Sequence, residues 1–488
     1  MTVQALPASP SRTAARRPWA LLAVALATFM TYLDNNIVNV ALPAIQRDLH
    51  LTTAGLEWVV SGYILVFAGL LLAGGRLADA YGRRRLFLIG LGIFTVASLA
   101  AGLAGSADVL VAARAVQGKG AAQVTPTTLA IISAAYSDPR QRASAVGIWA
   151  GVGALALAVG PLLGGLLAQH ASWGWIFMIN VPVGIGTLLL AGWAVTESRE
   201  SVRTRLDVPG LVVSAVALTA LTWALIEGGP RGWTSPLVLG SFAVAALAGV
   251  LFVVVEQRSA TPMVSVSLFA DRTFSGGIAA MMLWAFGLFG IYFFTSLYLQ
   301  DVLGFSPTEA GLAFLPMALC MVAGAVLSER LARRLGAAPL VGTAMLLMGI
   351  GIGTVSLLGA DASYAMLMPS FIAIGIGGGL TTPLTAAVLS TMPGERAGVA
   401  SGLFNASREV AGLLGITVIG AILAARTAAA TRAGEAPVQA FLTGYRLGLL
   451  VSAALVAVGG VAAWLALRGV QPQSEESDGP VVEFALAS

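Results

Sequence analysis

Runs of about 20 apolar residues recur along the whole 488-residue chain, far more than one water-surrounded core could bury. Fourteen such runs are read, at residues 19–43, 54–74, 86–105, 108–133, 142–168, 175–195, 207–226, 236–256, 274–300, 309–331, 337–358, 362–389, 398–424 and 444–467. Each is long enough to cross a hydrocarbon layer of about 30 Å as a helix. Inside lipid a chain must satisfy its own backbone polar groups, so an all-α polytopic membrane protein is the fold class implied. The connections are short, and no gap could hold a soluble domain. The first run follows Arg12, Arg16 and Arg17, but it is about 25 residues long and contains Asp34, Asn35 and Asn36. It reads as a retained helix, not a cleaved signal.

The cations sort by side. With the N-terminus inside, 19 of the 27 Lys plus Arg fall in cytoplasmic segments, among them Arg76, Arg83, Arg84, Arg85, Arg330, Arg333 and Arg334. Five fall outside: Arg47, Arg231, Arg426, Arg432 and Arg446. An even number of spans with both termini cytoplasmic fits this positive-inside bias. One cysteine (Cys320) and two histidines (His50, His170) exclude a disulfide framework and a Cys/His metal site. A scattered net charge of +4 gives no reason to expect a nucleic-acid partner.

The remaining cations, Arg114, Lys119 and Arg408, lie within spans, and Lys119 is the sole lysine. The stretch Leu110–Pro126 places Arg114, Gln117, Lys119 and Gln123 among small apolar residues, expected to face a central polar cavity. Intramembrane charges are expensive and by default functional. Asp34 is the leading candidate for carrying a proton, because desolvation makes the neutral acid accessible near neutral pH. Asn36 and Asn39 on the same helix could solvate it and are expected to line the substrate cavity. Asp34 and Lys119 each lie 16 residues from the cytoplasmic end of their span, roughly 24 Å along the helix axis. An Asp34–Lys119 or an Asp34–Arg114 pair is therefore expected, broken when the acid is protonated. The plainer alternative for Lys119 is a side chain that snorkels and does nothing more. Arg408 and Glu409, being adjacent on a helix, are expected to point about 100° apart and not to meet. Glu409 is a further proton-coupling candidate. Gln117, Gln123, Asn405, Trp284, Tyr292 and Phe293 are expected to line a cavity that is polar on the first-half wall and apolar on the other.

Two internal matches imply duplication. Arg76–Gly82 resembles Arg330–Gly336 at an offset of 254 residues, and Gly118–Pro126 resembles Gly375–Pro383 at an offset of 257. Parallel halves of six spans, with spans seven and eight inserted, follow from those offsets. The divisions are 1–18 as a cytoplasmic tail, 19–195 and 261–467 as the two bundles, 196–260 as the inserted pair, and 468–488 as a disordered cytoplasmic tail.

Several motifs stand in the matching loops and spans. Leu33-Asp34-Asn35-Asn36-Ile37-Val38-Asn39-Val40-Ala41-Leu42-Pro43, Gly75-Arg76-Leu77-Ala78-Asp79-Ala80-Tyr81-Gly82-Arg83-Arg84-Arg85, Arg114-Ala115-Val116-Gln117-Gly118, Gly160-Pro161-Leu162-Leu163-Gly164-Gly165 and Trp173–Pro182 together resemble the major facilitator superfamily, in its 14-helix drug:proton antiporter group. Lys119, Gly174 and Glu409 depart from that group's pattern. The resemblance implies two six-helix bundles around a central cavity, and a proton-coupled exporter of amphipathic drug-like molecules in the bacterial inner membrane. It would work as a monomer, with a proton gradient and no cofactor or metal. Conformational gating is assigned to Gly75, Asp79, Gly82, Arg83 and Arg84, and to Gly160, Pro161, Gly164 and Gly165. Asp79 is expected to sit at a helix N-terminus, where the macrodipole favours a carboxylate. An importer of a small nutrient on the same fold is the alternative. A membrane-embedded enzyme would need convergent acid–base groups that the sequence does not supply, and no nucleotide-binding glycine loop is present.

Overall fold

The structure, a computed structural model, describes residues 12–199, 207–259, 262–390 and 397–469. Most of the two expected tails lies outside those residues. The described chain folds into α1 (Arg12–Leu49), α2 (Thr53–Tyr81), α3 (Arg83–Gly102), α4 (Ala107–Ala135), α5 (Pro139–His170), α6 (Trp175–Ala194) and α7 (Val208–Arg231). It continues with α8 (Pro236–Arg258), α9 (Arg272–Val302), α10 (Pro307–Leu335), α11 (Ala337–Val355), α12 (Tyr364–Ser390), α13 (Ala397–Arg432) and α14 (Pro437–Ala466). Thirteen of these are long and apolar enough to cross a membrane. The other, α4, matches them with 29 residues but carries Asp108, Arg114 and Lys119.

Local chemistry sets where the helices begin. The side chains of Thr52, Ser106, Asp138, Asp207, Ser235 and Asp271 each accept from a backbone N–H in the first turn of the helix that follows. Ser306 and Glu309 close a capping box at the start of α10. Proline occupies an opening position of α5, α7, α8, α10 and α14, where a missing N–H costs nothing. α1 overruns the expected limits at both ends, because Pro18 and Pro43 lie inside the helix and do not bound it.

The packing repeats itself. In the first half α4 packs on α2 and α3, and α1 on α5 and α6; in the second, α12 packs on α10 and α11, and α9 on α13 and α14. The contact of α3 with α6 likewise recurs as α11 with α14. The correspondence reaches single crossings. Gly118 rests on the Tyr63 carbonyl and its counterpart Gly375 on the Met317 carbonyl; Gly120 meets Gly90 and Phe94, and Gly377 meets Ala344 and Met348. In each case a Cβ would run into backbone, so the close approach requires glycine. The halves join where α5 meets α10 and where α2 meets α13, and α7 leans on α2 and α13 with α8 outside it.

The halves seal at the end that carries Leu49 and His170. There Gly165 backs onto the Pro307 carbonyl and Gly311 onto that of Pro161. The Thr308 N–H donates to Gln169 Oε1 at 3.0 Å, and Gln300 Nε2 donates to the Val40 carbonyl at 2.9 Å. At the opposite end Arg140, Gln141 and Arg142 on α5 and Arg333 and Arg334 on α10 are exposed.

Candidate functional site

A closed polar network lies inside the first half. Asp34 on α1, completely buried, accepts from Arg114 Nη1 at 2.5 Å and from Gln117 Nε2 at 2.7 Å, both on α4. Asn180 Nδ2 on α6 adds a third donor at 3.2 Å. Asn180 stands where the short opening turn Trp175–Met178 passes through Ile179 into Asn180–Ala194. Gln117 closes the circuit, accepting from Arg114 at 2.7 Å and donating to Ser98 Oγ on α3 at 2.9 Å. Arg114 also donates Nε to the Val59 carbonyl of α2 at 3.2 Å, and its guanidinium lies 4.3 Å from the Tyr63 ring and 5.5 Å from that of Phe177. Five helices thus converge on one ion pair. Every group that touches Asp34 is a donor, so a proton on this carboxyl finds no acceptor until Gln117 turns or Arg114 withdraws.

The expected pairing with Lys119 does not form. Lys119 is exposed on the outer face of α4, and among the described residues no ion pair reaches it. Equal depth is not equal direction: five residues at 100° each put Lys119 about 140° round the helix from Arg114. The same geometry corrects the larger expectation for Leu110–Pro126. Arg114 and Gln117 are sealed within the bundle, and Gln123 sits against Gly90 of α3 with its Oε1 buried and unpartnered. None of the four lines the central cavity.

That cavity lies between the halves. α1 supplies Tyr32, Asn35, Asn36 and Asn39, the reverse side of the helix that carries Asp34. α9 supplies Trp284, Leu288, Phe289 and Tyr292, α10 supplies Met321, and α13 supplies Arg408, Glu409 and Ile416. Asn36, Asn39, Trp284, Tyr292 and Glu409 therefore stand where the sequence placed them. Phe293 does not, being wholly buried against Phe294 at a ring separation of 4.7 Å. Asn405 lies outside the lining and donates to the Ser401 carbonyl at 3.0 Å. The second wall is not simply apolar. Arg408 donates to Glu409 Oε1 at 2.7 Å, against the expectation that neighbours cannot meet. Both side chains are long enough to curl back over their own backbone, and the cavity leaves them room. Tyr32, Asn35 and Phe289 also line it, together with Val60 of α2 and Leu157 of α5. Asn35 follows Asp34 in the quoted motif and Tyr32 stands just before it; both could have been found by spacing from Asn36 and Asn39.

The residues assigned to gating occupy close crossings. Gly160 faces Asn36, whose Cβ would stand 3.1 Å from a Cβ added there, Gly164 lies on the Ile37 carbonyl, and Pro161 and Gly165 form the seam with α10. α5 is thus clasped by α1 on one side and by the second half on the other. Gly75 packs toward Pro126 of α4, where an added Cβ would stand 3.6 Å from the Pro126 Cβ. In the α2–α3 turn Gly82 adopts φ 111°, Asp79 pairs with Arg83 at 2.9 Å, and Arg84 donates to the Gly192 carbonyl at 2.5 Å. The carboxylate at the α3 N-terminus is Glu197, not Asp79: it accepts from the Arg84 and Arg85 N–H groups, each at 3.1 Å. Asp79 belongs to the last turn of α2, the wrong end of a helix for that role. Glu197 carried no signal in a sequence where it stands two residues beyond the end of a span.

The sequence profile described as Major Facilitator Superfamily matches residues 24–416. The chain belongs to the Major Facilitator Superfamily. It is 39% identical over 408 residues to the multidrug resistance protein Stp of Mycobacterium tuberculosis, covering 83% of this chain and 75% of that protein. It is 38% identical over 414 residues to the tetracenomycin C resistance and export protein of Streptomyces glaucescens, covering 84% and 77%. A bacterial homologue of the human lysosomal transporter Spinster, solved inward-facing and unoccupied, superposes with a TM-score of 0.65 over 95% of this chain and 98% of its own, at 20% identity. This Major Facilitator Superfamily member is a multi-pass membrane protein.

Proposed function

We propose that the protein exports amphipathic, antibiotic-like molecules across the bacterial inner membrane by alternating access, in exchange for protons. One observation carries the reading: α1 presents Asp34 to a sealed donor network on one side and Asn35, Asn36 and Asn39 to the central cavity on the other. A proton that displaces Arg114 from Asp34 disturbs the helix that also touches the ligand. The resistance and export proteins to which the chain is similar support the direction. Trp284, Phe289 and Tyr292 offer ring faces to an aromatic ligand, while the Arg408–Glu409 pair offers charge. This suits a bulky amphipathic molecule better than a sugar. A membrane potential of 100 mV supplies about 2.3 kcal/mol per charge moved, enough for a gradient of roughly fifty-fold. The test is accumulation of an aromatic drug in inside-out vesicles acidified within. Uptake abolished by nigericin supports antiport; loss of drug from those vesicles, or indifference to nigericin, refutes it.

A further inference from the structure

Glu57 is a carboxylate without a counter-charge on the seam between the halves. It stands one turn into α2 and is 3% exposed. Among the described residues no hydrogen bond or ion pair reaches it; its Oε2 is buried and unpartnered, and so is Ser61 Oγ one turn further along the same face. The carboxylate lies directly against Gly420 of α13, where a Cβ would overlap both of its oxygens. Glycine at 420 leaves the room that the carboxylate fills.

The charges on the surrounding helices are engaged elsewhere or lie away from it. On α13, Arg408 and Glu409 bond each other, and Arg426 and Arg432, six and twelve residues beyond Gly420, are exposed. On α7, Glu227 accepts from Trp58 Nε1 at 3.1 Å and from Arg231 at 2.9 Å. On α4, Arg114 is committed to Asp34 and meets α2 at the Val59 carbonyl, about 200° round the helix from Glu57. On α1, Arg47 donates to the Pro43 carbonyl and Asp48 accepts from Trp173. An ionised carboxylate here would be desolvated with nothing in return, whereas the neutral acid fits a dry seam.

We propose that Glu57 is a second proton-binding site, a gate that holds a proton while α2 and α13 are closed on it and releases that proton to water when the seam parts. The direction of its action rests on the antiport reading above. The arginine distribution puts this end of α2 outside, so protons arriving from outside allow the outer seam to close, and an ionised Glu57 keeps it open. The gate is separate from the Asp34 network, which grips α2 from the opposite face.

The test uses the full chain with Cys320→Ser and spin labels at Gly105→Cys in the first half and Arg432→Cys in the second, both exposed at the sealed end. Distances between the labels are measured from about pH 5 to pH 9. The expected result is a longer-distance population that grows as pH rises in the parent chain and vanishes in Glu57→Gln, which stays closed throughout. Glu57→Leu, neutral and of similar bulk, should match Glu57→Gln, and Glu57→Asp should restore the response. A pH response unchanged in Glu57→Gln, or absent from the parent chain, overturns the gate. No drug is present, so the vesicle assay can fail while the gate stands, or succeed while the gate falls.

Discussion

Removing either member of the Asp34–Arg114 pair should destabilise the protein, but only one of the two losses should be relieved by acid. Taking one partner from a buried pair costs about 3–5 kcal/mol, because the other charge is left desolvated. In Asp34→Asn the stranded group is Arg114, which cannot shed its charge at any accessible pH. It keeps the Gln117 oxygen, the Val59 carbonyl and the faces of Tyr63 and Phe177. Those ring contacts contribute about 2 kcal/mol in a dry site, so the net loss should be about 1–3 kcal/mol and flat with pH. In Arg114→Met the stranded group is a carboxylate, which escapes by binding a proton. The folded variant then holds more protons than its unfolded chain, and stability rises as pH falls. The slope is at most about 1.4 kcal/mol per pH unit, so lowering pH from 8 to 6 should recover up to about 2.7 kcal/mol. Thermal unfolding of the purified protein in detergent, followed by tryptophan fluorescence at both pH values and referred to the parent chain, reads the difference. Equal pH dependence in the two variants would refute the reasoning.

Lys119→Ala should leave proton-driven export close to the parent rate, whereas Arg114→Ala should abolish it; drug resistance of expressing cells reads both. Gly311→Val drives a side chain into the Pro161 carbonyl at the sealed seam. Overpacking costs about 1–3 kcal/mol, so the labelled pair at Gly105 and Arg432 should report an open population at pH 5. Glu197→Ala removes the acceptor from the Arg84 and Arg85 N–H groups, and hydrogen exchange in the first turn of α3 should rise while that in α11 is unchanged.

Span number and the two-fold plan were legible because both rest on one-dimensional quantities, the length of apolar runs and the offset between matching segments. Gly118 and Gly375 matched in sequence because both must rest on a carbonyl of the neighbouring helix. That Asp34 would meet a cation of α4 was legible because charges inside a span need a partner, but the choice between Lys119 and Arg114 was not. Azimuth was not. Lys119, Gln123 and Phe293 share the depth of the cavity but point elsewhere, and in a helix surrounded by lipid and protein the apolar pattern does not say which side is which. Glu57 was passed over because it sits near the end of its span, where an acid reads as interfacial. Its burial depends on a glycine 363 residues away. Asn180 lies in the quoted Trp173–Pro182 motif, which does not say that its side chain turns toward Asp34.

The most direct measurement is proton movement during transport in liposomes that hold the purified protein and a pH-sensitive dye. Adding an aromatic drug on one side should draw protons across in the opposite direction in the parent protein. With Asp34→Asn the drug should still exchange down its own gradient while no protons move. Uphill, proton-driven transport by Asp34→Asn at the parent rate would contradict the account.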